Sequence, residues 1–116
     1  MPDFQIKTQT LQNNIVMIKV KGFLDAHTYE ELEKTISEFF ERNLYKFVVD
    51  LSELGYISSA GAGVFIGAIG TAQENNGNIV ILNPSNNVKE VLELLGLTQI
   101  FTISQELESA IKTFQQ

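Results

Sequence analysis

Apolar and polar residues alternate through Phe4-Gln5-Ile6-Lys7-Thr8, the period of a half-buried strand. Gln12-Asn13-Asn14 is a turn signal, and Ile15-Val16-Met17-Ile18-Lys19-Val20 reads as a second strand. So short a connection predicts an antiparallel hairpin. Gly22-Phe23-Leu24-Asp25 then leads into a helix. Thr28 and Glu31 have capping-box spacing, while Asp25 is an alternative cap or a group that fixes the entering loop. From there the period changes to that of a helix. Tyr29, Leu32, Ile36, Phe39 and Phe40 form one apolar stripe, with Glu30, Glu33, Lys34 and Glu41 on the other face. This helix is expected to lie on a sheet with its far side in water.

Phe47-Val48-Val49, within Lys46 to Asp50, is a short apolar run of the kind found in central strands. Leu51 to Ile57, with Gly55, reads as a connection. A second helix is predicted over roughly Ala60 to Glu74, stopped by Asn75-Asn76-Gly77. Ile79-Val80-Ile81-Leu82 is the next buried strand. Strand, helix, strand predicts a right-handed parallel crossover. Asn83-Pro84-Ser85-Asn86-Asn87 holds several cap candidates, and Val88, Val91, Leu92 and Leu95 mark a short amphipathic helix ended by Gly96. Ile100 to Ile103 reads as an edge strand. Ser104 is the expected cap of a last helix with Leu107, Ala110, Ile111 and Phe114 on its apolar face. The fold class is α/β: a single domain over residues 1–116, with a mixed sheet of four or five strands, an N-terminal hairpin and about four helices.

The junction Tyr56-Ile57-Ser58-Ser59-Ala60-Gly61-Ala62-Gly63-Val64-Phe65 stands out. Either serine can cap the helix, since a hydroxyl there accepts from a backbone N–H that has no intrahelical partner. Two glycines in the first turns do not favour the helix; each costs about 1 kcal/mol against alanine. They imply close approach to the backbone by a neighbouring strand, a phosphate or a partner protein. One serine is enough for the cap, so a hydroxyl is left over. The helix continues without a charge until Glu74. A helix apolar nearly all round is either buried or offers a smooth face to another protein. In a chain of 116 residues the second is expected. The docking surface is placed on Ser58, Ser59, Ala60, Gly61, Ala62, Gly63, Phe65 and Ile66.

Composition narrows the chemistry. Hydrophobic residues make up 44%, enough for a core, and the absence of cysteine excludes disulfides and thiolate metal sites. Met1-Pro2-Asp3-Phe4 lacks a basic region followed by an apolar run, and no stretch reaches the roughly 20 apolar residues of a membrane span. The expected compartment is the cytoplasm. A formal charge of −6 opposes nucleic-acid binding.

Enzyme motifs fail on spacing. Gly61-x-Gly63 is not followed by a third glycine at the dinucleotide interval, and the next strand ends in Ile81-Leu82-Asn83 with no acid for a ribose. There is no Gly-Lys-Ser/Thr of a phosphate loop. Ser59, His27 and Asp50 can be written as a triad, but nothing in their spacing supports one, and His27 reads as a solvated loop residue. Asp25 and Asp50 could hold a metal; acids after strands or before helices more often accept from loop or cap N–H groups, and that supporting role is preferred for both.

The chain resembles a STAS domain of the anti-sigma factor antagonist type over nearly its whole length. The resemblance is carried by Gly22-Phe23-Leu24-Asp25, Phe47-Val48-Val49-Asp50-Leu51-Ser52, Tyr56 to Val64, and Val91-Leu92-Glu93-Leu94-Leu95-Gly96-Leu97 followed by Phe101. In such proteins the central motif reads acid, serine, small residue, glycine, bulky apolar residue, often glycine. The resemblance implies that Ser59 is the phosphoacceptor of an anti-sigma factor serine kinase. Ser58 stands at the acid position, as a second candidate, and Ala62 at the bulky one. It further implies a binding module that is no enzyme. Unphosphorylated, it would capture the kinase and free a sigma factor; a serine phosphatase would reset it. No cofactor, metal, nucleic acid or membrane is implied, and the chain would be a monomer or weak dimer. The alternative is an adaptor or scaffold subunit of another partner-switching pathway that is never phosphorylated. A small-ligand or nucleotide-binding domain is a third class.

Overall fold

A computed structural model describes residues 3–115; Met1 and Pro2, part of the stretch read for a leader, and Gln116 lie outside the described residues. Strands β1 (Gln5–Thr10) and β2 (Ile15–Leu24) form the expected antiparallel hairpin, with Thr10 opposite Val16 and Gln5 opposite Lys21. A 3-10 turn over Gln12–Asn14 joins them, with Asn13 and Asn14 in the left-handed region at φ of 63° and 60°. Asparagine tolerates that conformation because its short polar side chain bonds locally.

Helix α1 (Tyr29–Glu41) carries the chain to β3 (Lys46–Asp50), which pairs parallel to β2. β4 (Leu54–Ile57) follows, then α2 (Ser59–Glu74), β5 (Asn78–Leu82), α3 (Asn86–Leu94), β6 (Thr102–Ser104) and α4 (Leu107–Lys112). The sheet order is β1-β2-β3-β5-β6, with β4 paired to β2 off that path. All pairs except β1 with β2 are parallel. α2 is thus a crossover between parallel strands β3 and β5, as the pattern predicts.

Adjacent residues on the central strands serve two different cores. Val16, Ile18 and Val20 of β2, Phe47 and Val49 of β3, and Ile79 and Ile81 of β5 pack beneath α1, α2 and α3. Their neighbours Ile15, Val48, Val80 and Leu82 face the other way, against Ala110 of α4 and the half-buried Leu107, Ile111 and Phe114. Helices on both faces explain why β3 and β5 read as unbroken apolar runs, not as alternation.

Three local expectations are corrected. Leu51 to Ile57 is not only a connection, since Leu54–Ile57 pairs with the far half of β2. β2 is long enough for two partners, β3 along Ile15 to Lys19 and β4 along Gly22 to Leu24. Thr28 does precede α1, but its hydroxyl does not cap it. It donates to the Phe23 carbonyl at 2.8 Å and accepts from the Asp25 N–H at 2.9 Å, tying the loop to the strand it leaves. Ser104 ends β6, nearly buried, and Glu106 occupies the cap position of α4. Its carbonyl is drawn off by the Asn83 N–H at 2.7 Å. No helix is long and apolar enough to cross a membrane among the described residues.

Candidate functional site

β4 runs parallel to the end of β2, so Ile57 lies beside Leu24 and the chain turns into α2 there. The Ser58 N–H donates to the Leu24 carbonyl at 2.9 Å. Ser58, extended at φ −95° and ψ 173°, is the cap residue; its Oγ accepts from the Gly61 N–H at 3.1 Å. Its carbonyl accepts from the Ala62 N–H at 2.9 Å. Of the two serines, Ser58 therefore takes the capping role and is half-buried, while Ser59 is the first residue of the helix and exposed.

The glycines divide the same way. A Cβ on Gly61 would stand 2.5 Å from the Leu24 carbonyl oxygen, so the strand makes the close approach there. A Cβ on Gly63 would meet nothing within 4 Å, nor would one on Gly67 or Gly70. Those glycines open the outer face of α2.

The docking residues inferred from sequence are accordingly split. Ser59, Ala60, Gly63 and Ile66 share one exposed face of the helix, Ile66 being 49% exposed. Gly61, Ala62 and Phe65 do not belong to it. Ala62 and Phe65 are fully buried and Gly61 is buried against Leu24. A helix lying on a sheet must bury one stripe, and Gly61, Ala62, Phe65, Ala68 and Ala72 form it. The helix looked apolar all round because its outward face is built of alanine, glycine and isoleucine in place of charges.

One residue was missed. Tyr56 is 47% exposed, two positions before Ser58, and its ring stands edge-on to Phe23 at 6.0 Å between centroids. An aromatic between Gly55 and the serines was the available signal.

The two aspartates sit apart in the sheet. Asp25 follows β2 beside the Ile57 corner and accepts from the His27 N–H at 2.9 Å. Asp50 ends β3 opposite Lys19, and accepts from the Ser52 N–H at 2.9 Å. Both carboxylates hold the loop that follows them. His27 is exposed, and no group of three or more His, Cys, Asp or Glu positioned for a metal occurs among the described residues. The one ion pair among the described residues, Lys19 with Glu53 at 3.0 Å, lies on the surface away from the serines. Its hydrogen bond and charge raise Lys19 above the usual lysine range and lower Glu53 below the usual carboxylate range.

The STAS domain family profile matches residues 5–110. The chain belongs to the STAS domain family. It is 27% identical over 99 residues to an anti-sigma-B factor antagonist of Staphylococcus aureus (strain NCTC 8325 / PS 47), covering 85% of this chain and 92% of that protein. Two solved structures share the fold of this STAS domain. The anti-sigma factor antagonist SpoIIAA in its unphosphorylated form superposes with a TM-score of 0.83 at 23% identity, over 96% of each chain. The Bacillus cell fate determinant SpoIIAA in its phosphorylated form gives 0.73 at 24% identity, over 94% of this chain and 98% of that one.

Proposed function

We propose that this STAS domain is a phosphorylation-controlled anti-sigma factor antagonist. Unphosphorylated, it binds an anti-sigma factor serine kinase through Ser59 and the exposed face of α2, which frees a sigma factor. The kinase modifies Ser59 to end the interaction, and a serine phosphatase restores it. The domain acts in the cytoplasm as substrate and binding module, with no catalytic group of its own. The resemblance of the chain to anti-sigma-B factor antagonists supports the choice of partner.

One observation carries the reading: Ser58 spends its hydroxyl on the helix cap, and Ser59 stands exposed beside it at the head of α2. Phosphate there adds about −1.5 to −2 charge at neutral pH. The first turn of α2 holds no acid to repel it. The unpaired N–H groups and positive end of the helix favour an anion by roughly 0.3–1 kcal/mol, so the fold survives. The interface does not, because a charge buried without a partner costs several kcal/mol, and each 1.4 kcal/mol is about tenfold in affinity.

Intact-mass measurement after incubation with the partner kinase and ATP tests this. The chain gains one phosphate, Ser58→Ala still gains it, and Ser59→Ala does not. Ser59→Asp folds but binds the kinase at least tenfold more weakly. A Ser59→Asp variant that binds as tightly as the parent identifies a constitutive adaptor instead.

A further inference from the structure

Five large apolar residues are notably exposed. Tyr56 and Ile66 flank Ser59 and belong to the surface described above. The other three are Leu94 (87% exposed), Leu95 (43%) and Ile100 (53%), at the end of α3 and in the turn that leads to β6. That is a second patch, unrelated to phosphorylation.

The patch adjoins an open sheet edge. β6 pairs only with β5 and ends the sheet. Protein edges are commonly blunted by lysine, proline or a bulge. β6 reads Thr102-Ile103-Ser104 and has neither lysine nor proline. Along it runs an open groove of about 610 Å³, whose walls include Lys89, Glu93, Ile100 and Ile103. A three-residue edge is too short to hold a partner by backbone bonds alone. The aliphatic side chains beside it supply the remaining contact.

We propose that this groove is the self-association surface of the chain, and that its occupant is the same groove of a second copy. The charges favour this partner. A twofold interface is self-complementary: where residue i meets residue j, j also meets i. Lys89 and Glu93 lie one helical turn apart on α3 and both line the groove. A twofold axis beside β6 runs the two edges antiparallel. It sets Lys89 of each copy against Glu93 of the other, with Ile100 and Leu94 enclosed between the ion pairs. The charges of a foreign ligand would have to match this plus-minus pair by chance; a second copy matches it by symmetry.

Sedimentation equilibrium across salt concentrations tests the proposal, with melting curves confirming that each variant folds. The parent chain dimerises as concentration rises. Ile100→Glu raises the dissociation constant at least roughly tenfold. Lys89→Glu and Glu93→Lys each weaken the dimer, whereas the double variant, or an equimolar mixture of the two single variants, recovers it. This charge swap does not depend on the Ile100 variant folding. A parent that stays monomeric to about 1 mM, the weakest affinity worth assigning, overturns the proposal. So does a dimer indifferent to Ile100→Glu and to charge reversal. Neither result bears on Ser59.

Discussion

Gly61 lies directly against Leu24: a Cβ placed on it would stand 2.5 Å from the Leu24 carbonyl oxygen and 2.9 Å from its Cγ. The carbonyl is already engaged by the Ser58 N–H, so it is not free to move. Gly61→Ala therefore pushes the head of α2 off β2, with an expected loss of about 1–3 kcal/mol, the range of overpacking. Gly63→Ala meets open space and gains up to about 1 kcal/mol of helix propensity. Urea unfolding of the two variants should move in opposite directions, although both are glycine-to-alanine changes two residues apart.

The adjacent serines should separate as cleanly. Ser58→Ala removes the acceptor of the Gly61 N–H and costs about 0.5–2 kcal/mol. Ser59→Ala stays within about 0.5 kcal/mol of the parent in stability, as an exposed residue that caps nothing. Chemical denaturation reads both. Phosphorylation follows the reverse order, lost in Ser59→Ala and kept in Ser58→Ala.

α3 is held to β4 by a bond 31 residues apart in sequence. The Ser85 hydroxyl donates to the Leu54 carbonyl at 2.7 Å and makes no cap bond to its own helix. Leu54 is 1% exposed, so Ser85→Ala leaves its carbonyl poorly solvated and costs about 1–3 kcal/mol. Hydrogen exchange should show α3 and β4 opening together in that variant.

Lys19 and Glu53 set a pH dependence of known sign. Glu53 is lowered on folding, so its contribution is present above the ordinary glutamate range and is lost as pH falls through its lowered value. Lys19 is raised, so its contribution is present below the ordinary lysine range and is lost as pH climbs through its raised value. Both groups are on the surface, where salt screens the pair. Carboxylate NMR titration should find Glu53 low in the parent and restored upward by Lys19→Met, with the difference shrinking as salt is added.

The chain alone determined much of this protein. The period-two and period-3.6 patterns placed the hairpin, α1, the parallel crossover through α2, and the serine–glycine corner, because burial of one face imposes a spacing on residues close in sequence. The tertiary structure decided the rest. Nothing near Leu54 to Ile57 says that it pairs with the end of β2, a partner some 30 residues upstream. Only that pairing brings Leu24 against Gly61, assigns the cap to Ser58 and leaves Ser59 outside. Phe65 and Ile66 are neighbours of like polarity in the sequence, yet one is wholly buried and the other half exposed. Which of them faces water depends on how the helix is rolled on the sheet, and that roll is set by contacts between segments far apart along the chain.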